Sequence, residues 1–315
     1  MNIYRSFDDI PFDTNTALTI GTFDGLHRGH QSVLNRLYEL AESIGGRAVV
    51  LTFDPHPQIV LLKPEREPVQ LLTTITERIE VFKKFETPNL LIIPFTYEFS
   101  RTAPEDFITE YLVKKIGLKK MLVGYDHMFG RNREGTEELL KEAGVKWGFD
   151  VEKMPPLSHA EDIIISSTKI RAALKDGNLA QANQMLGYDY FVHGKVVHGH
   201  KRGRTLGIPT ANFQIPNLHK LMPKNGVYWV SSEIDGVLKY GMANLGTRPT
   251  FTDETEVTLE VNYFDFDGDL YDRELSVSFL HYIREERKYD GVEPLLKEIE
   301  NDRRICEELL KESRK

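Results

Sequence analysis

Short apolar runs separated by helix-length amphipathic stretches fill the first half of the chain. Ala17–Phe23 (ALTIGTF), Arg47–Phe53 (RAVVLTF), Asn89–Phe95 (NLLIIPF) and Lys119–Tyr125 (KKMLVGY) are apolar and do not alternate. That is the pattern of strands buried on both faces of a parallel sheet. A helix is predicted from about Gly29 to Ile44, with Val33, Leu34, Leu37, Leu40, Ala41 and Ile44 on its apolar face and Gly45-Gly46 as its stop. A second is predicted from Pro104, a favoured first helical residue, carrying Phe107, Ile108, Tyr111, Leu112 and Ile116. Strands alternating with helices predict an α/β fold built on a parallel sheet.

After two short predicted helices, near 169–176 and 178–186, the period changes from helical to two. Val192–Val197, Gly226–Ile234, Val237–Asn244, Glu256–Phe264 and Leu275–Ile283 alternate apolar with polar residues, and Asp235-Gly236 and Asp267-Gly268 read as hairpin turns. The prediction is all-β, a small antiparallel barrel, closed by a charged helix from about Gly291 to the end. A chain of 315 residues exceeds what one core usually organises. The change of period puts the boundary near residue 187, giving domains 1–186 and 187–315.

Composition narrows the function classes. The formal charge of −8 argues against a protein built around nucleic-acid phosphates, so no nucleic-acid partner is expected. Local basic clusters, Lys201–Arg204 and Arg131–Arg133, suit a small anionic ligand or are solvated loop charges. No apolar run approaches the roughly 20 residues that cross a bilayer, and no membrane partner is expected. The start MNIYRSFDDIPFD does not read as a secretory signal, and the lone Cys306 has no internal disulfide partner, so a reducing cytoplasm is expected.

Candidate chemistry begins at GTFDGLHRGH, Gly21–His30, where the first strand meets the first helix. Ligands of open parallel sheets bind at the carboxyl ends of strands, where helix N-termini present free N–H groups to phosphate. Gly25 and Gly29 allow close backbone approach, and His27 and His30 can stabilise charge building on a phosphate. A zinc pair and structural histidines in a polar turn are competing readings. ISSTKIR, Ile165–Arg171, offers Ser166, Ser167 and Thr168 as a cap cluster, or is an ordinary capped helix. No GxxxxGK[ST] loop occurs. The second candidate cradle is GHKRGRTLGIPTAN, Gly199–Asn212, with Gly199, Lys201, Gly203 and Gly207 in a flexible anion loop, and a Thr210 hydroxyl and Asn212 amide able to hold Mg2+. A hairpin with an exposed basic tip is the alternative.

His27-Arg28-Gly29-His30 resembles the signature of the HxGH nucleotidyltransferases. With FDPHP (Phe53–Pro57), GYDHMFGRNREG (Gly124–Gly135) and ISSTKIR, it matches in order the adenylyltransferase half of the prokaryotic bifunctional riboflavin kinase and FAD synthetase family. GRTLGIPTAN, GVYWV (Gly226–Val230), GMANLGTRPTF (Gly241–Phe251) and LEVNYFDFDGDLYD (Leu259–Asp272) resemble its riboflavin kinase domain over nearly all of 187–312. The resemblance implies a Rossmann-like nucleotidyltransferase domain before the barrel. It implies riboflavin, FMN, FAD, ATP, ADP and pyrophosphate as substrates and products, with Mg2+ as cofactor. It makes His27, His30 and Arg171 the catalytic groups of adenylyl transfer. Gly21, Phe23, Asp24, Gly25, Gly29, Asp126, Asn132, Arg133, Ser166, Ser167 and Thr168 surround the nucleotide, and Phe53, Pro55, His56, Pro57, His127, Phe129 and Arg273 the flavin. In the second domain it makes Thr210 and Asn212 ligands of metal and phosphate and Glu260 the base toward the ribityl hydroxyl.

Three positions depart from the family wording: His127 where an aromatic is common, Asn262 where EVH is common, and Asp272 where glycine frequently follows DLY. A single-activity enzyme and a flavin- or nucleotide-binding regulator without turnover are the alternative readings. Oligomeric state is not legible.

Overall fold

The computed structural model describes residues 1–65, 67–124, 135–155, 158–159, 163–199, 207–249 and 255–313. Contacts divide the chain into two compact units, Met1–Ser167 and Thr168–Lys315.

The first unit carries β1 (Asn2–Tyr4), β2 (Thr16–Ile20), α1 (Arg28–Ser43), β3 (Arg47–Asp54), α2 (Pro57–Val60), α3 (Ile75–Lys84), β4 (Asn89–Pro94), α4 (Tyr97–Ser100), α5 (Pro104–Asp106), β5 (Leu118–Val123), α6 (Glu137–Trp147) and β6 (Asp150–Lys153). A two-residue pair, β7 (Ser158–His159) and β8 (Ile163–Ile164), follows. Strands β1 to β6 form one sheet in the order β1-β4-β3-β2-β5-β6, every pairing parallel. The central strands β2, β3 and β4 are buried along most of their length because both faces are covered, and their residues are mainly apolar for that reason. Leu18, Ile20, Val49, Leu51, Leu91 and Ile93 join one core with Phe107, Ile108, Leu112 and Ile116, while α1 buries Leu34, Leu37, Leu40 and Ala41. The helix expected from Pro104 is present, opening as α5 and continuing as a π-helix over Phe107–Ile116. It ends at Gly117 in the left-handed region, where an added Cβ would lie 2.3 Å from the Asp13 carbonyl oxygen.

The second unit opens with α7 (Ser167–Asp176) and α8 (Leu179–Leu186), continues through β9 (Phe191–Val197), β10 (Ala211–Gln214), β11 (Gly226–Ile234), β12 (Val237–Pro249), β13 (Thr255–Tyr263) and β14 (Glu274–Arg284), and ends on α9 (Val292–Ser313). The six strands close into a barrel in the order β10-β13-β12-β11-β14-β9, all pairings antiparallel. Asp235-Gly236 is a hairpin turn, both residues having positive φ as a type I′ turn requires. Asp267-Gly268 is not: β13 pairs with β10 and β12, and β14 with β11 and β9, so the connection crosses the barrel instead of folding back. Polar residues before β14 mark a turn without specifying the strand's partner. α9 buries its Cys306 in an apolar cluster with Trp229, Met242 and Phe264, and Arg284 on β14 grips the helix's buried Asp302 through Nη2 at 2.7 Å.

Candidate active sites

β2 ends at Ile20, three residues before its apolar run stops, because the chain then enters a turn with Phe23, Gly25 and Leu26 at positive φ. Phe23 and Leu26 are bulky residues in a region that costs about 1–3 kcal/mol each, and burial of both side chains holds them there. The turn delivers the chain to α1, whose N-cap is His27. The His27 side chain makes no capping bond, and the first turn carries no acidic residue, so the positive end of a 16-residue helix stays open to an anion.

The two histidine rings of the motif stack, 3.7 Å between centroids and 15° between planes. Two protonated imidazoles at that separation would repel, which disfavours charge on both rings at once. His30 is held well below its ordinary 6.5, chiefly by burial, then by His27 and then by Arg78. Its Nδ1 is buried without a hydrogen-bond partner among the described residues. Phe23 meets the His30 ring edge-on at 5.2 Å. Gly29 explains itself: a Cβ there would come within 3.2 Å of the His27 ring.

In the turn that precedes α1, the Asp24 carboxylate accepts hydrogen bonds from Leu72 N (3.1 Å), Thr73 N (2.9 Å) and Thr73 Oγ1 (3.3 Å), and Thr73 Oγ1 accepts from Gly25 N at 3.0 Å. Ser167 Oγ donates to the Asp24 carbonyl at 2.9 Å, bringing the start of ISSTKIR to the GTFDG turn. Thr168 and Arg171 follow on α7 and are counted with the second unit. In FDPHP, the half-buried Phe53 packs edge-on against Phe95 at 5.4 Å, and His56 caps α2 by accepting from Gln58 N at 3.1 Å, with Pro57 next. Asp126, His127, Phe129, Asn132 and Arg133, and in the barrel unit Lys201 and Gly203, lie outside the described residues.

The barrel unit gathers a second set. Asn212 on β10 and Asn244 on β12 are both direct partners of Glu260 on β13, so the three side chains share one face across adjacent strands. Thr210 Oγ1 donates to Glu260 Oε2 at 3.3 Å. A Cβ on Gly199 would fall 2.4 Å from the Asn212 amide nitrogen, so glycine is what lets the Asn212 side chain lie there. Hydroxyl, amide and carboxylate oxygens make a hard donor set suited to Mg2+. Asn244 Nδ2 donates to Glu286 Oε1 at 3.2 Å. Asn262 Nδ2 donates to the Pro209 carbonyl at 2.7 Å, tying β13 to the PTAN segment. Asp272 has φ +61, which accounts for glycine at such a position, and its carboxylate pairs with Lys195 at 2.8 Å. Arg273 is occupied by Asp235 at 2.7 Å.

Sequence reasoning passed over Thr73, Arg78 and Asn244. The first two flank a legible signal, the capping box Thr74-x-x-Glu77, which is formed and starts α3. Asn244 carries no local signal, since only strand register brings it to Glu260.

Comparison with known proteins joins the two halves. A family model described as FAD synthetase matches residues 9–169, and one described as riboflavin kinase matches 186–310. The bifunctional riboflavin kinase/FMN adenylyltransferase of Listeria monocytogenes is 38% identical over 291 residues, covering 92% of this chain and 91% of that protein. The protein of the same name from Bacillus subtilis is 35% identical over 295 residues, covering 91% and 90%. A crystal structure titled macrolide-efflux protein from Streptococcus pneumoniae superposes with a TM-score of 0.86 at 32% identity, over 97% of this chain and 98% of that one. Efflux is that title's word: among the described residues here, no helix is long and apolar enough to cross a membrane. With both catalytic modules and near full-length relatives in agreement, the chain belongs to the bifunctional riboflavin kinase/FMN adenylyltransferase family, phosphorylating riboflavin to FMN and adenylylating FMN to FAD.

Proposed function

We propose that the two reactions run at separate sites on different chemistry, residues 1–186 carrying adenylyl transfer and 187–315 the kinase, each with ATP and Mg2+. The observation that carries this reading is the juxtaposition of Thr210, Asn212 and Glu260 on adjacent barrel segments, a set complete without the histidine pair.

In the kinase, the ribityl 5′-hydroxyl of riboflavin attacks the γ-phosphorus of ATP and ADP leaves. A neutral hydroxyl gains nucleophilicity as it loses its proton, and the Glu260 carboxylate takes it. Thr210 and Asn212 would hold Mg2+, with Gly199, Lys201, Gly203 and Gly207 around the phosphates. Bound there, the metal supplies neutralisation of phosphate charge. Adenylyl transfer differs because the attacking FMN phosphate is already anionic. It adds to the α-phosphorus of ATP, pyrophosphate departs, and no base is required. His27, His30 and Arg171 donate to the charge that builds, with the α1 N-terminus, Gly21, Gly25, Gly29, Asp126, Asn132, Arg133, Ser166, Ser167 and Thr168 holding the nucleotide. Phe23 and Asp24 act through the turn they shape. Phe53, Pro55, His56, Pro57, His127, Phe129 and Arg273 are assigned to flavin. The one cysteine, Cys306, is free and buried, its thiol pushed up to about 12 by burial first, which suits a reducing cytoplasm.

Chromatography of reactions fed riboflavin and FMN separately, with Mg2+ or with a chelator, tests the scheme. FMN and FAD are expected from riboflavin and FAD from FMN, with both lost under chelation. Product formation unaffected by chelation refutes the metal. Gly199→Ala should push the Asn212 amide aside and slow riboflavin phosphorylation about tenfold, since small displacements of a positioning group are costly. FAD formation from FMN by the same variant should match wild type.

A further inference from the structure

We propose that Arg78, on α3 and outside every motif, is a positioning residue of adenylyl transfer: its buried guanidinium holds the end of β3 and the Thr73 loop in register and puts a fixed positive charge beneath the histidine pair.

The geometry is specific. Arg78 has no solvent exposure. One arm, Nη1, donates to Thr52 Oγ1 at 3.2 Å and to the Phe53 carbonyl at 3.1 Å, at the point where β3 runs into FDPHP. The other, Nη2, reaches the Thr73 carbonyl at 3.5 Å, on the loop whose Leu72 and Thr73 amides hold Asp24. One side chain therefore ties the strand end leading to the flavin segment to the loop fixing the GTFDG turn. Four residues on, one turn along α3, Phe82 packs edge-on against Phe23 at 5.7 Å, and Phe23 in turn supports His30. Nε is buried without a hydrogen-bond partner among the described residues.

A purely structural staple gives no reason for a cation here. Burying a guanidinium costs several kcal/mol, and well-packed apolar side chains of similar volume often do as well or better. The charge has an electrostatic use. Among the described residues, the charged or titratable groups that bear on His30 are His27, the N-cap of the same helix, and Arg78, on α3; those that bear on Arg78 are Asp24, Asp54 and Glu77. Arg78 adds to the burial that keeps His30 neutral, so the stacked rings stay together and can act as donors.

The inference rests on adenylyl transfer at the histidines, so His30→Gln is assayed alongside: wild-type FAD formation by that variant sinks the site reading itself, independently of Arg78. The test uses the full chain carrying Arg78→Lys or Arg78→Gln, with FMN adenylylation followed from about pH 5 to about pH 9. Riboflavin phosphorylation by the same preparations serves as reference. Arg78→Lys keeps the charge but not the fork, and should lower kcat for FAD formation about tenfold with the acid limb of the profile unmoved. Arg78→Gln should lower kcat and also move the acid limb to higher pH, because His30 then takes a proton more readily. Wild-type kcat in Arg78→Lys overturns the proposal, as does a wild-type acid limb in folded Arg78→Gln. If Arg78→Gln does not fold, the kcat and acid limb of Arg78→Lys decide. Loss of the first unit's unfolding transition in both variants leaves a structural role alone and also overturns it.

Discussion

In the Glu260→Gln variant, riboflavin phosphorylation should fall about 10²- to 10⁴-fold, the range spanned by loss of a general base, while FMN adenylylation continues at the wild-type rate. Glutamine keeps the shape of the side chain, and its amide oxygen can still accept from Thr210 Oγ1, which sits 3.3 Å from the native carboxylate. The cross-strand row with Asn212 and Asn244 is a property of the β10, β13 and β12 backbones and survives the change. What disappears is the anion that takes the ribityl proton, so kcat should drop while KM for ATP stays within a few-fold. Chromatography measures both activities on one preparation, FMN from riboflavin in the first reaction and FAD from supplied FMN in the second. Loss of both activities together would contradict independent sites. Retention of riboflavin phosphorylation would remove Glu260 from the role of base.

The line between what was legible and what was not follows the range of each physical signal. Buried parallel strands, the α1 stripe and the Asp235-Gly236 turn are local properties, and each appears where its residues predict. Leu34, Leu37 and Leu40 recur at helical spacing because one side of α1 is buried against the sheet. Strand pairing is non-local. Asp267-Gly268 has turn chemistry, yet the barrel closes with β12 between β13 and β11, an order that no dipeptide encodes. The site divides the same way. His27 and His30 are close in sequence, so the stacking of their rings is foreshadowed by spacing on one helix start, with Gly29 between them leaving room beside the His27 ring. Asn244 and Arg78 reach their places through register and through a loop that folds back 48 residues after Gly25, where Thr73 Oγ1 meets its amide. Asn262 and Asp272, which depart from the family's wording, have local structural accounts: one ties down the Pro209 carbonyl, the other occupies a left-handed position and pairs with Lys195.

His30→Ala should have the opposite selectivity, cutting FAD formation from FMN about 10²- to 10³-fold, the cost of removing one preorganised donor from a charge-stabilising site, and sparing riboflavin phosphorylation. It should also change how the first unit responds to acid. His30 is fully buried and its folded value lies well below the 6.5 of the exposed group, so the unfolded chain binds the proton more readily than the folded one. Stability tied to His30 is then fully present above about 6.5 and is lost as pH falls from there toward the depressed folded value. Wild-type protein should therefore lose thermal stability between about pH 7 and about pH 5, and His30→Ala should lose less across the same window. Alanine removes the buried ring and its contacts with His27 and Phe23, so the variant should start from a lower melting temperature at neutral pH. The two unfolding curves should converge as the pH is lowered. Parallel curves would mean that the folded and unfolded chains take up the His30 proton equally, and burial would then not be what holds this imidazole neutral.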